Sequence, residues 1–279
     1  MSPALLVHIQ AHLDEDLSLD ALSAKASLSP AHFQRTFQAL VGETPKNYVA
    51  RLRLERAAFR LLIHDATLLD IALDCGFQNH ETFTRAFRRR FGMPPSRYRA
   101  WVSTEAQPRP ATAAEQPGDA YSISETKVRR LHRAHLAFIR HVGPYAAVPD
   151  TLFDLLEDWA TAQGLAGPRI WMGIGHDAPG TTRPEHLRFD AALVVPSAFT
   201  PRGGPVGHQV FEAGEFGVTT HAGPFGTLPA AYAAIFPRVT QLPKHQLIGL
   251  PAVEIYQTAR VNARLQLNVT DICLPVVSR

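Results

Sequence analysis

The sequence predicts a protein of two domains, an all-α domain with two helix-turn-helix motifs followed by an α+β domain built of two β-α-β-β-like repeats. The chain has 279 residues, of which 46% are hydrophobic and 19% charged, and this suits about two globular domains. Only three of its 22 prolines precede residue 94, so long helices are permitted there and turns are frequent afterwards. Each part of the chain also contains an internal repeat of its own.

Composition argues against several classes of protein. No apolar run approaches the ~18 residues that span a bilayer. The amino end lacks a basic start and soon reaches acidic residues at 14–16, unlike a secretory signal, so a cytoplasmic location is expected. Cys75 and Cys273 lie in unlike contexts, which predicts neither a disulfide framework nor a cysteine-rich zinc site. The 13 histidines form no HExxH pattern, so we predict no metal and no cofactor.

The first domain, residues 1–103, uses one helix-turn-helix unit twice. Its helices start at capping residues such as Ser29 and Asn79, carry aromatic residues four apart on one face, and end at a glycine. Buried Cys75 is expected to fill the core. The residues that recur at an offset of 50 are Phe33, Arg35, Phe37, Gly42, Pro45 and Tyr48, which match Phe83, Arg85, Phe87, Gly92, Pro95 and Tyr98.

The outer face of the second helix in each copy predicts contacts with DNA. Arginine can grip guanine, glutamine can grip adenine, and glutamate can accept from cytosine in the major groove. Residues 79–99 hold six arginines against one acid, and this excess suits phosphates, as do the helix starts near Thr44 and Pro95. A connecting helix of about 20 residues would be about 30 Å long, close to the ~34 Å between successive major-groove faces. The alternative is a helical bundle whose arginines only face solvent.

The segment 76–99, GFQNHETFTRAFRRRFGMPPSRYR, resembles the signature of the AraC family of transcription regulators. The resemblance covers residues 3–102 and implies that the chain binds promoter DNA, with RNA polymerase as a possible further partner. Ala31 is small where the MarA- and Rob-like subgroup has a large aromatic residue, and Glu81 is acidic, so the resemblance implies no operator sequence. The resemblance assigns base contacts to Ala31, Gln34, Arg35, Glu81, Thr82 and Arg85, and we assign phosphate contacts to Arg88, Arg89 and Arg90.

Residues 104–120 predict a flexible linker, because they are rich in proline, alanine and glutamine and show no apolar periodicity. The second domain, residues 121–279, contains another repeat, in which His141-Val-Gly-Pro-Tyr recurs as His221-Ala-Gly-Pro-Phe. A strand precedes each copy, and an amphipathic helix and further strands follow it. The histidines beside the turns predict a turn hydrogen bond. Two such halves predict a cleft between them, where ligands commonly bind.

The second domain resembles the GyrI-like effector-binding domain, on the stretches 141–145, 173–177, 188–190, 251–256 and 271–275. The resemblance implies that Glu254 faces the pocket, as in drug-binding members. A carboxylate among aromatic rings favours an aromatic or cationic amphiphilic compound. The alternatives are a solvated carboxylate at a strand end and aromatics that only pack in the core. The candidate effector-binding residues are Glu254, Trp171, Tyr145, Phe225 and Tyr256.

These observations predict a non-enzymatic transcription regulator that binds double-stranded DNA and a small-molecule effector. One alternative is a GyrI-like hydrolase of strained or reactive small molecules fused to a DNA-binding domain, with Glu254 as a general base. Another is an adaptor whose second domain binds a protein rather than a ligand.

Overall fold

The computed structural model describes residues 3–63, 66–105, 121–165, 169–197, 199, 205–249, 251–257 and 268–279. The chain divides into two compact units, Met1–Gln107 and Pro108–Arg279. The predicted linker lies outside the described residues except at positions 104 and 105, which belong to the last helix of the first unit. The predicted boundaries therefore stay predictions. Among the described residues, no helix combines the length and apolarity needed to cross a bilayer.

The described part of the first unit is helical throughout, as the sequence predicts. Its helices are α1 (Pro3–Ala11), α2 (Leu19–Lys25), α3 (Pro30–Val41), α4 (Pro45–Ile63), α5 (Leu68–Asp74), α6 (His80–Phe91) and α7 (Pro95–Glu105). The helix pairs α2–α3 and α5–α6 are the two helix-turn-helix motifs, and α4 connects them.

The helices α3 and α6 begin and end in the same way because the same local signals surround them. Ser29 Oγ accepts the backbone N–H of His32, and Asn79 Oδ1 accepts the backbone N–H of Thr82 at 2.8 Å. At the other ends, Gly42 and Gly92 adopt left-handed backbone conformations with φ of +84° and +76°. These caps give both helices the same length of 12 residues.

Each helix-turn-helix motif has its own hydrophobic core, and α4 contributes to both. Phe33 and Phe37 are buried in the first core together with Leu52 of α4. Phe83 and Phe87 are buried in the second core together with four residues of the same helix, Leu54, Ala57, Ala58 and Leu61. Because the aromatic stripes of α3 and α6 face these cores, the opposite faces of both helices are left in solvent.

The second unit is an α+β domain whose described strands form one antiparallel sheet of ten strands. Its strands are β1 (Ser122–Ile123), β2 (Lys127–Leu131), β3 (Ala134–Val142), β4 (Trp171–Gly175), β5 (Arg188–Val195), β6 (Gly207–Phe211), β7 (Gly214–Gly223), β8 (His245–Leu247), β9 (Ala252–Tyr256) and β10 (Asn268–Ser278), and its helices are α8 (Thr151–Ala162) and α9 (Leu228–Thr240). The sequence also predicts strand at 265–267, which lie outside the described residues.

The sheet contains two sets of three strands with the same order, β3–β5–β4 and β7–β10–β9. The two sets meet where β4 pairs with β9, with Gly173 opposite Glu254 and Trp171 opposite Tyr256. The sets also exchange strands, since β2 pairs with β7 and β6 pairs with β3. The centre of the sheet is therefore a junction between two halves of the chain.

Candidate functional site

The outer faces of α3 and α6 carry the predicted DNA contacts, and the structure leaves all of them exposed. They are Ala31, Gln34, Arg35, Glu81, Thr82, Arg85, Arg88 and Arg89. Polar groups on an exposed helix face opposite a buried aromatic stripe are free to enter a groove. The connecting helix α4 has 19 residues and is therefore about 28 Å long, close to the predicted length.

Arg90 differs from the arginines before it. Its Nη2 atom donates to Glu55 Oε1 of α4 at 2.9 Å, and its side chain is only 19% exposed. The sequence predicts that Arg90, like Arg88 and Arg89, contacts phosphates. The structure corrects that prediction, because Arg90 turns toward the second core and neutralises a buried carboxylate.

Glu254 lies in the middle of β9 and is 9% exposed, so it is not a solvated carboxylate at a strand end. Tyr256 Oη donates to Glu254 Oε2 at 2.7 Å, and Tyr232 Oη of α9 donates to Glu254 Oε1 at 3.0 Å. Each carboxylate oxygen therefore accepts one phenol hydrogen. This arrangement suits an ionised carboxylate, which can only accept hydrogen bonds.

Tyr232 is a site residue that sequence reasoning missed. The sequence places it on the apolar stripe of an amphipathic helix, where it counts as core. The signal that could have found it is its hydroxyl, because a tyrosine on a buried stripe needs a hydrogen-bond partner. Loss of hydration and the neighbouring Glu254 raise the pKa of Tyr232 well above its ordinary value, so it acts as a neutral donor.

Aromatic rings pack around Tyr256, which holds Glu254, on the face of the sheet that carries both helices. Phe153 of α8 contacts Trp171 and Tyr256, with ring centroids 6.0 Å and 5.6 Å away. Phe225 also contacts Tyr256, with ring centroids 5.7 Å apart. The structure therefore brings Trp171, Tyr256 and Phe225 into one cluster through Tyr256, and it adds Phe153, which the sequence did not predict.

Gly173 makes room for this arrangement. It lies directly opposite Glu254 across the β4–β9 junction. A Cβ atom at this position would lie 2.4 Å from Tyr256 Oη and 2.7 Å from Phe189 Cζ. A side chain on β4 would therefore displace the tyrosine that holds Glu254.

Tyr145 is placed differently from the other candidates. Its hydroxyl donates to the backbone carbonyl of Asp177 at 2.7 Å and accepts the backbone N–H of the same residue at 3.0 Å. Loss of hydration is the main cause that raises its pKa. These contacts give Tyr145 a structural role in holding the segment after β4, and its contact with an effector stays a prediction.

The repeated histidines lie at corresponding positions near the ends of β3 and β7, just before the Gly-Pro turns, but they make different contacts. His221 Nε2 lies 2.8 Å from Thr227 Oγ1 in the turn before α9, which confirms the predicted turn hydrogen bond in this copy. His141 Nε2 is buried and has no hydrogen-bond partner among the described residues. The prediction therefore holds for the second copy and is wrong for the first.

The described residues offer neither a cluster of metal ligands nor, at Cys75, a reactive thiol. No group of three or more His, Cys, Asp or Glu side chains in this part of the chain could hold a metal ion. Cys75 is buried in the second helical core, and burial raises the pKa of its thiol to about 11. A buried thiol with a raised pKa is largely unreactive.

Comparisons with known families divide the chain in the same way as its fold. Residues 22–100 match the family described as "Helix-turn-helix domain". Residues 124–277, more than half of the chain, match the family described as "GyrI-like small molecule binding domain". The resemblances to the AraC and GyrI-like families that the sequence predicts are thus confirmed.

Named relatives match the amino-terminal part. The right origin-binding protein of Escherichia coli (strain K12) is 41% identical over 95 residues, which are 34% of this chain and 33% of that protein. The regulatory protein SoxS of the same strain is 36% identical over 95 residues, which are 34% of this chain and 89% of SoxS. The chain thus matches only about a third of the length of the first of these relatives.

Two solved structures are also similar to parts of this chain. The DNA-binding domain of AdpA, crystallised in complex with a target DNA, is 28% identical, with a TM-score of 0.37 over 38% of this chain and 99% of that one. The EcmrR C-terminal domain is 18% identical, with a TM-score of 0.47 over 57% of this chain and 99% of that one.

Proposed function

This chain belongs to the GyrI-like small molecule binding domain family, and on that premise we propose that it is a transcription regulator whose first unit binds promoter DNA and whose second unit binds a small-molecule effector. The observation that carries the proposal is the exposure of every predicted base-contacting side chain on α3 and α6. Such a protein would act in the cytoplasm and would influence RNA polymerase at the promoter.

On DNA, the two helices would enter successive major grooves on one side of the duplex. Gln34, Arg35, Thr82 and Arg85 would contact base edges, while Arg88 and Arg89 would contact phosphates. Contacts to bases determine sequence preference, and contacts to phosphates determine overall affinity and its dependence on salt. Two reading helices on one chain allow a monomer to bind a specific site.

In the second unit, the effector would lie against Glu254 and the surrounding rings. Two interactions stabilise a bound cation in such a site, the attraction to the carboxylate charge and the attraction to the electron-rich faces of aromatic rings. Tyr232 and Tyr256 hold the carboxylate in one orientation, so binding does not have to order it. We therefore propose an aromatic cation as the class of effector.

The DNA part of the proposal is tested with the full chain and duplexes selected from a random library. Arg85→Ala should cost about 1–3 kcal/mol on the selected site and relax base preference at one position. Arg89→Ala should weaken binding to every sequence and reduce the slope of log affinity against log salt by about 1. Arg183→Ala changes an exposed arginine of the second unit and is the control. If Arg85→Ala weakens binding equally on all sequences, Arg85 contacts a phosphate and not a base. If the wild type selects no sequence from the library, the proposal of DNA recognition is wrong.

The effector part is tested by titrating the tryptophan fluorescence of the full chain, to which Trp171 contributes together with Trp101 and Trp159, with benzyltrimethylammonium and with its uncharged isostere neopentylbenzene. The cation should bind at least about tenfold more tightly than the isostere. Glu254→Gln keeps the shape of the side chain but removes its charge, so it should remove this preference. Equal affinities in both proteins would contradict an anchoring role for Glu254.

A further inference from the structure

Four charged side chains form a continuous network through the first unit. Arg51 Nε donates to Glu43 Oε1 at 3.0 Å, and Arg51 Nη1 donates to Glu55 Oε2 at 3.2 Å. Arg90 Nη2 donates to the other oxygen of Glu55 at 2.9 Å. Glu55 is therefore held at both oxygens by two different guanidinium groups.

The network runs from one helix-turn-helix motif to the other. Glu43 lies in the turn between α3 and α4, directly after the first reading helix. Arg51 and Glu55 are one turn apart on α4, and Arg90 lies in the last turn of α6. Both reading helices are thus tied at their carboxyl ends to the middle of the same connecting helix.

The burial of this network argues for a geometric role. Glu55 is only 4% exposed, and the side chains of Arg51 and Arg90 are 11% and 19% exposed. Removing charges from water costs about as much as their attraction returns, so a buried network is weak evidence for added stability. Its hydrogen bonds are directional, whereas the two apolar cores attract without a preferred direction. The network therefore adds directional contacts between the helices to the packing of the two cores.

The internal repeat does not explain the network. The counterpart of Arg90 in the first copy is Leu40 of α3, which is 62% exposed. The helix-turn-helix motif therefore forms without a buried contact at this position. Arg90 is an addition in the second copy, and its partner Glu55 lies outside both motifs.

We propose that Glu55, held by Arg51 and Arg90, is a positioning residue that sets the separation and relative orientation of α3 and α6. Through them it determines the spacing between the two DNA half-sites that one chain accepts. The inference rests on the proposed DNA-binding function and adds to it a residue that touches no base. The inference predicts that the affinity for DNA depends on the spacing between the two half-sites, separately from the preference for particular bases.

The test compares duplexes that the full-length wild type and Glu55→Gln select from the same random library. The wild type should select two motifs at one fixed spacing. Glu55→Gln should select the same two motifs at spacings that vary by about one base pair or more, and its affinity for the wild-type spacing should fall about tenfold. A loss of stability alone would lower affinity at every spacing equally.

A second variant covers the case in which Glu55→Gln folds poorly. Replacing the three most buried members of the network by Arg51→Met, Glu55→Leu and Arg90→Met leaves only Glu43, whose side chain is 22% exposed and can be hydrated. Replacing buried charged groups together by apolar residues commonly preserves the fold. This triple variant should show the same variable spacing. Asp74→Asn breaks the exposed pair between Arg60 of α4 and Asp74 of α5 and is the matched control, which should keep the wild-type spacing.

The outcomes separate this inference from the function on which it rests. A single unchanged spacing in the folded variants would overturn the positioning role while leaving DNA recognition intact. Failure of the wild type to select any sequence would overturn the proposed function, and the positioning role with it.

Discussion

The two halves of the second unit hold a carboxylate at the same position of the sheet by different means. In the first half, Asp190 of β5 lies opposite Arg140 of β3, and His176 directly follows β4. In the second half, Asp271 of β10 lies opposite Thr220 of β7, and Gln257 directly follows β9. Asp190 accepts from Arg140 at 2.6 and 2.7 Å, from His176 at 2.7 Å and from Gln209 at 3.1 Å, and Asp271 accepts from Thr220 at 2.6 Å and from Gln257 at 2.8 Å.

The sheet thus accommodates a carboxylate at this position with either a charged or a neutral set of partners. In the first half the guanidinium group of Arg140 neutralises a carboxylate that is fully buried. Neutral donors in the second half are sufficient for Asp271, which is 8% exposed. On the opposite face the halves diverge again, because Glu254 in one half faces Gly173 in the other. The asymmetry of the candidate site therefore arises from substitutions on a shared framework.

The largest expected effect is the contrast between Asp190→Asn and Asp271→Asn. Asp190→Asn removes the charge that compensates Arg140, whose side chain is only 12% exposed, so it should cost about 3–5 kcal/mol of unfolding free energy. Asp271→Asn weakens hydrogen bonds to neutral donors and should cost about 1–2 kcal/mol. Urea unfolding followed by tryptophan fluorescence, with Trp101 of the first unit replaced by Phe in all proteins compared, measures both. Equal costs would show that the charges in the first half contribute nothing specific.

The second expected effect contrasts two glycines on the same face of β4. Gly173→Ala places a Cβ atom 2.4 Å from Tyr256 Oη, so it should cost about 1–3 kcal/mol and weaken the binding of benzyltrimethylammonium. Gly175→Ala meets nothing nearer than Tyr145 Oη at 3.5 Å and should change stability by less than about 1 kcal/mol. The same unfolding and titration experiments serve both. Equal losses of unfolding free energy in the two variants would mean that Tyr256 can move aside without cost. The site would then not require a glycine at position 173.

Local signals predicted much of this molecule. The caps at Ser29 and Asn79, the glycines that end α3 and α6, and the alternation of helices and strands follow from residues within a few positions of each other. The structure shows these caps, helix ends and elements where the sequence places them. The resemblance to a family singled out Glu254 as an effector contact, and that role stays a prediction.

The remaining features depend on contacts between distant residues. Arg90 pairs with Glu55 across 35 residues, and Arg140 pairs with Asp190 across 50. Such pairs depend on helix packing and strand register, which a single sequence does not encode locally. Tyr232 was missed for the same reason, because its partner on β9 is brought near only by the packing of α9 on the sheet.

The smallest expected effect is a dependence of stability on pH that distinguishes the halves. Burial lowers the pKa of His176, although Asp190 opposes this shift, and Arg140 at 3.1 Å disfavours a second positive charge. The unfolded histidine has a pKa of about 6.5, so below that pH the unfolded state binds a proton that the folded state does not. Stability should therefore be fully present above about pH 6.5 and fall as pH decreases, by at most about 1.4 kcal/mol per pH unit from this group.

His176→Gln gives the first half the residue type that the second half has at Gln257, and it tests this dependence directly. A glutamine can donate to Asp190 without titrating, so the variant should lose about 1 kcal/mol less than the wild type between pH 6.5 and 5.5. Urea unfolding at several pH values measures the difference, in which the contributions of the other histidines cancel. Parallel curves would show that His176 titrates alike in the folded and unfolded states. In that case His176 would not make the first half of the unit more sensitive to acid than the second half.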